Sequence, residues 1–247
     1  MGEAVSGEND SIWLRPTRGT RGPAPEYTRD RIAAAAVALA DDRGLAAVTM
    51  RAVAVALGTG PASLYRYVAT RDELIELMVD AAHSELTDGR PDAEPGTGWL
   101  GSLLALARES RDTYMRHPWL VDTVGMNIPL GPHAVGYLER AVAALADLDV
   151  SARTKLEAIG VLSGLVPLLA RAEITQRQAG SSLPQWQRAQ AAYLGRVVAD
   201  GRHPHLAAAL VAGAAESGGT QVPGEAAGDD GTFDRIVTRV VTGLLEQ

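Results

Sequence analysis

Between Gly58 and Leu74 the chain reads GTGPASLYRYVATRDEL. Small residues come first, Gly60, Pro61, Ala62 and Ser63, followed by Tyr65, Arg66 and Tyr67, all in one brief segment between two helix breakers. These groups suit recognition of a polyanion. Hydroxyls and backbone N–H groups donate to phosphate, and a guanidinium grips guanine or backbone phosphate in a bidentate fork. Bond-breaking chemistry finds no such set. The 247 residues include no cysteine, which removes thiolate nucleophiles, disulfides and cysteine-ligated metals. Five histidines, at 83, 117, 133, 203 and 205, are scattered without His-Glu-x-x-His spacing, so neither a metal site nor a cofactor is expected. GVLSG at 160–164 lacks the serine spacing of a nucleophile elbow, and no glycine-rich phosphate loop occurs.

A net charge of −7 argues at first against nucleic acid, because phosphate must be met by local positive charge. The distribution reverses that. Residues 15–71 hold nine arginines against four acids, whereas residues 72–247 hold fourteen basic and twenty-three acidic side chains. A basic head on an acidic body predicts a polyanion partner for the head alone. The N-terminus has no long apolar core of the signal-peptide kind, and no apolar run is expected to span a membrane, so a cytoplasmic address is the expectation.

The periodicity predicts an all-α chain. Residues 1–26, rich in Gly, Pro, Arg and acids, read as a flexible arm; disorder without DNA contact is the expectation for Arg15, Arg18 and Arg21, with entry into the minor groove as the alternative. A first helix follows Thr28, with Ile32, Ala35, Ala36, Leu39 and Ala40 on one face up to Gly44. Thr49 caps a short second helix carrying Met50, Val53, Ala54 and Leu57, and Gly58 suits its exit. Pro61 opens a brief third helix, expected to reach about Val68, and Thr70 caps a fourth with Asp72 and Glu73 in its first turn. A second and third helix joined by a tight glycine turn describe a helix-turn-helix, whose recognition helix offers its first residues to base edges in the major groove. Beyond the Gly/Pro-rich break at 88–98, helical segments are expected at 98–116, 118–125, 132–147, 152–178, 184–200, 204–215 and 233–246. The expected organisation is an arm at 1–26, a helix-turn-helix domain at 27–72 and a larger helical body at 73–247.

Residues 28–74, with the run TMRAVAVALGTGPASLYRYVATRDEL, resemble the DNA-binding head of the TetR family of bacterial transcriptional regulators. WLGSLLALARESRDTYMRHPWL, followed by Gly131 and Pro132 opening a helix, resembles the C-terminal ligand-sensing domain of the branch containing the tetracycline repressor. Carried over by position, the resemblance implies that Thr49, Arg51, Tyr65, Tyr67 and Arg71 touch phosphates while Pro61, Ala62, Ser63 and Arg66 face bases, with Gly60 capping the recognition helix. The chain departs from the family's usual residues at Gly60 (Ser or Thr), Tyr67 (His or another polar residue), Val68 (Phe) and Arg71 (Lys).

One recognition helix reads too few bases for selectivity, so such heads work in pairs on palindromic sites. The candidate dimer faces are Gly160, Gly164 and Leu168 in the segment 152–178, and Ile236, Val240 and Leu244 in the last helix. The resemblance implies that these two helices form a four-helix bundle across a two-fold axis; the alternative is that both are internal core. Pro167 predicts a kink or break, and a kinked wall can leave a cavity. Tyr114, His117, Trp119, Met126, Asn127, His133 and Arg171 are its candidate lining, with helix capping and core packing as the competing reading of each. The expected partners are therefore a double-stranded operator, a small-molecule effector and a second copy of the chain, and the expected function is that of a repressor released from its operator by that effector. A constitutive DNA-binding regulator or activator, or an all-helical enzyme, are the alternatives.

Overall fold

The computed structural model describes residues 11–15, 27–87, 97–126, 128–179, 185–216 and 230–246. Among them helices are the only regular elements. The chain divides into two compact units, Met1–Ile159 and Gly160–Gln247. That division falls inside one long helix, away from the composition break at 88–98.

In the first unit, α1 (Arg29–Arg43), α2 (Met50–Ala56) and α3 (Pro61–Leu64) build the head. Each start has a local cause. Thr28 accepts from the Arg31 N–H, and Thr49 from the Ala52 N–H at 3.1 Å, so side-chain oxygens take up donors that the first turns leave open. Gly44 and Gly58 end α1 and α2 at φ 77° and 70°, a left-handed backbone that other residues avoid. The third helix is shorter than expected. It closes at Leu64, and Tyr65–Tyr67 continue as a turn held by Tyr67 N–H to Leu64 O, 2.8 Å.

α4 (Arg71–His83) runs through the centre of this unit, burying Leu74, Ile75, Leu77 and Met78 against Ile32, Ala36, Val53, Leu64 and Val68 in one continuous core. Thr70 caps it through the Glu73 N–H, and the Glu73 carboxylate accepts from the Ala69 N–H at 2.7 Å, a reciprocal arrangement that fixes the chain directly after the recognition segment. A 3₁₀ turn, Ser84–Leu86, follows; then come α5 (Gly98–Arg116), a second 3₁₀ stretch Pro118–Thr123, and α6 (Pro132–Ala144).

The arm expectation fails at Ser11–Arg15. Ile12 is fully buried in the head core, and Arg29 on α1 donates to the Ile12 carbonyl at 2.9 Å. Arg15 pairs with Glu73 on α4 at 2.5 Å, so this arginine is engaged inside the molecule. Composition suggested disorder because an isolated Ile-Trp pair carries no period; burial of Ile12 supplies what periodicity cannot show. Arg18 and Arg21 lie outside the described residues.

The second unit comprises the rest of α7 (Ala152–Ala179), α8 (Gln185–Ala199), α9 (Pro204–Glu216) and α10 (Asp230–Leu245). α7 continues as one helix through Pro167, so of the expected kink or break the break does not occur. Pro167 is itself buried, flanked by buried Val166 and Ala170, and this packing offsets a hydrogen-bond loss and clash of about 3 kcal/mol. By length and composition alone Ala152–Gln178 passes for a spanning helix, its most apolar stretch reaching a mean hydropathy of 1.5, but the uninterrupted apolar run between Glu157 and Arg171 is shorter than a membrane span and part of it is buried in the protein.

Candidate nucleic-acid interface and sensor joint

The residues expected to meet DNA lie along one exposed edge of the head. Thr49, Arg51, Gly60, Pro61, Ala62, Tyr65, Arg66 and Arg71 are exposed, and Ser63 and Tyr67 are half-buried. Leu64 and Val68, interleaved with them, are fully buried and anchor the edge from behind. Helical spacing makes this division: Leu64 and Val68 fall on the core side, while Ala62, Tyr65 and Arg66 fall on the other. Tyr65 leaves 53% of its surface to solvent. The Arg66 guanidinium stands 5.9 Å from the Tyr67 ring centroid, which restricts the arginine near the edge without using its N–H donors.

Arg71 behaves differently. Its Nε and Nη2 donate to the Val48 and Leu45 carbonyls, at 3.0 and 3.1 Å, so two of its donors fasten α4 to the link between α1 and α2 instead of standing free for phosphate. Thr49 accepts the α2 cap hydrogen bond through its side-chain oxygen, which leaves its hydroxyl hydrogen to donate. Gly60 has open space where a Cβ would sit, and its extended φ of −86° is open to serine, so neither space nor backbone demands glycine there.

The residues expected to line a pocket have different surroundings. His117 and Trp119 are buried at the foot of the head: both His117 ring nitrogens face carboxylates, and the Trp119 indole donates to Asp41 Oδ1 at 2.7 Å. Tyr114, on the same α5, is half-buried, and burial pushes its hydroxyl above the ordinary range. The His133 Nδ1 is 3.0 Å from the Thr87 hydroxyl. Met126 is 39% exposed, Arg171 is exposed in the second unit, and Asn127 lies outside the described residues.

Composition and spacing did not single out the joint between α4 and α6. Asp80, 5% exposed on α4, accepts from the His133 and Ala134 N–H groups at 3.0 and 3.1 Å, capping α6 with a carboxylate supplied by another helix. A negative group at this end is favoured by the helix dipole. The approach requires Gly131, because a Cβ there would lie 2.3 Å from the Asp80 carboxyl and 2.7 Å from the Trp13 ring. Arg140 on α6 ties the same region to α5 through Glu109, 2.9 Å, and also donates to the Leu86 carbonyl. Tyr137 is packed below, with burial holding its hydroxyl at about 12 although a hydrogen bond with Ser110 pulls the other way. The one usable signal was a buried acid on an otherwise apolar stripe of α4.

The comparisons agree with this architecture. Residues 32–78 match the model for bacterial regulatory proteins of the tetR family, and residues 90–222 match the tetracyclin repressor-like C-terminal domain. The HTH-type transcriptional repressor DrrR1 of Streptomyces coeruleorubidus is 37% identical over 204 residues, covering 79% of this chain and 73% of that protein. Crystal structures of ActR from Streptomyces coelicolor have the same fold: the apo form at TM-score 0.69 and 27% identity, covering 91% of this chain and 97% of that one. The ActR complex with actinorhodin aligns at TM-score 0.68 and 25% identity, over 90% of this chain and 97% of that one. With a helix-turn-helix head, an all-helical body and both halves of the family matched, this chain belongs to the TetR family of bacterial transcriptional regulators.

Proposed function

We propose that this protein is a ligand-responsive repressor that binds a palindromic operator as a homodimer, with 27–72 as its reading head and 73–247 as the sensing and dimerising body. The observation that carries the reading is the exposed Pro61–Arg66 edge backed by fully buried Leu64 and Val68, a rigid, narrow surface with donors and a guanidinium facing outward. Arg66, Ala62, Ser63 and Pro61 would read bases, and Thr49, Arg51, Tyr65 and Tyr67 would position the phosphates. Such a regulator works beside the chromosome, in the cytoplasm.

The effector is a small molecule taken up by the body near Tyr114 and His133. ActR binds actinorhodin, which supports an effector site in the corresponding domain here. Because Asp80 holds the start of α6, a ligand that displaces α6 draws on α4, whose first turn is clasped to the head by Arg71. The ligand must bind the DNA-incompetent arrangement more tightly, or it shifts nothing.

A gel shift on the duplex directly upstream of the protein's own coding region, with and without a small-molecule panel, tests this. Arg66→Ala is expected to weaken binding by about 1–3 kcal/mol at matched salt, and Tyr65→Phe by less. Parent-like binding by both variants would remove the assignment of the reading edge.

A further inference from the structure

Pro118 ends α5, because a residue before proline is driven out of the helical region, and His117 takes φ −119° and ψ 72°. That turn aims its imidazole across the unit. Nδ1 lies 2.7 Å from Asp41 Oδ1 on the last turn of α1, and Nε2 lies 3.1 Å from Glu85 Oε1 in the 3₁₀ turn after α4. Both contacts are made as hydrogen bonds only when each ring nitrogen carries a hydrogen. Trp119 adds a third donor, its Nε1 also meeting Asp41 Oδ1 at 2.7 Å, and its ring packs edge-on to the imidazole at 6.1 Å. Arg116 pairs with the other side of Glu85. The charged groups facing His117 are thus Asp41 from α1, Glu85 from beyond α4, and Arg116 from α5 itself.

We infer that His117 is a positioning residue for DNA release: its Nδ1 ties the end of sensor helix α5 directly to α1, a second line of transmission beside the contact its Nε2 makes with the turn after α4. This rests on the repressor reading above. His117 is 8% exposed, so moving it away from its partners leaves buried donors and acceptors without replacements. A ligand that shifts the end of α5 must therefore carry α1 along or break the bridge. α1 packs against α2 and α4, and α2 in turn against α3, so a small displacement at Asp41 reaches the reading edge.

The absence of native cysteine permits a direct test. Val55 on α2 and Val135 on α6 are 72% and 51% exposed, and a spin label on a cysteine at each reports the head-to-sensor distance within one chain, with the labelled protein diluted by unlabelled copies. The parent should give one narrow distance. His117→Phe, which keeps ring bulk and loses both donors, should at least double the width of that distribution and weaken binding to the upstream duplex about tenfold, within the range of typical site-to-site coupling. Asp41→Asn should do the same, and the double variant should add nothing further. An unchanged width in a His117→Phe protein of parental helicity would overturn the inference, as would a broadened distance with DNA affinity unaltered. If His117→Phe does not fold, Asp41→Asn decides by the same criteria. Should the distance broaden while the parent itself ignores the duplex, the repressor reading fails and the bridge stands.

Discussion

The first unit is fastened by polar cross-ties between its helices, whereas the second carries exposed apolar side chains and glycines along its helices. In the first, polar cross-ties settle how helices meet: Asp80 caps α6, Arg71 holds the link between α1 and α2, and His117 spans α1 and the turn after α4. The second unit uses rows of apolar side chains. α7 buries Leu162, Val166, Ala170 and Ile174, and α10 buries Phe233, Val237, Val241 and Leu245, each a row at every fourth residue. Val161 and Leu168 on α7 are 45% and 63% exposed, and Gly160, Gly164 and Gly243 have open space where a Cβ would sit. Ile236, Val240 and Leu244 are half-buried. Directional bonds specify one arrangement within a chain; a smooth apolar face with glycines admits a second helix.

The largest effect that could break this comparison is on assembly. Leu168→Asp with Val240→Asp places charge on both faces and should convert the proposed dimer to monomers by light scattering. DNA affinity should fall about 100-fold or more, because the two half-sites are no longer engaged by one particle. A dimer that survives both charges would show that these faces belong to the interior of the folded chain.

Two glycines then sharpen the contrast. Gly131→Ala forces a methyl group into the Asp80 carboxyl and the Trp13 ring, and should destabilise the chain by about 1–3 kcal/mol in urea unfolding. Gly160→Ala meets nothing and should raise the stability of the monomeric double-charge background by about 0.5–1 kcal/mol through helix propensity. Equal effects at the two sites would erase the distinction between a closed joint and an open face.

The smallest effect is a dependence on pH in the first unit. Burial lowers the His83 imidazole below its ordinary 6.5, opposed by its hydrogen bond with the Val79 carbonyl, by Asp80 and reinforced by His133. The native state therefore resists a proton that the unfolded chain accepts, so stability should fall as pH drops below about 6.5. His83→Gln should flatten that slope between pH 7 and 5, measured by thermal unfolding. A slope unchanged by the substitution would assign the acid sensitivity to other groups.

How much of this was legible follows from the range of each interaction. Thr28, Thr49 and Thr70 each cap a helix through a backbone N–H three residues on, and Gly44 and Gly58 turn the chain where their neighbours stop. Signals of that reach are written in consecutive residues. Helical spacing separates Leu64 and Val68 from Tyr65 and Arg66 within about one turn, and the family resemblance rests on the same stretch. The surroundings of the pocket candidates were not legible. His117 and Trp119 look like ligand-binding side chains by type, yet their partner Asp41 is 76 and 78 residues away, and no period links them. Ile12 and Trp13 are a dipeptide too short to show a pattern.

The amino-acid order alone determined where helices start and stop, which face of each is apolar, and that positive charge collects ahead of residue 72, because caps, periodicity and composition act within a few positions along the chain. Only the tertiary structure decided that Asp80 meets the start of α6, that Arg71 serves the head's own backbone, and that His117 lies between two carboxylates. Those pairings depend on which distant helices pack together, and a buried polar group takes its role from whichever partner the packing brings within about 3 Å.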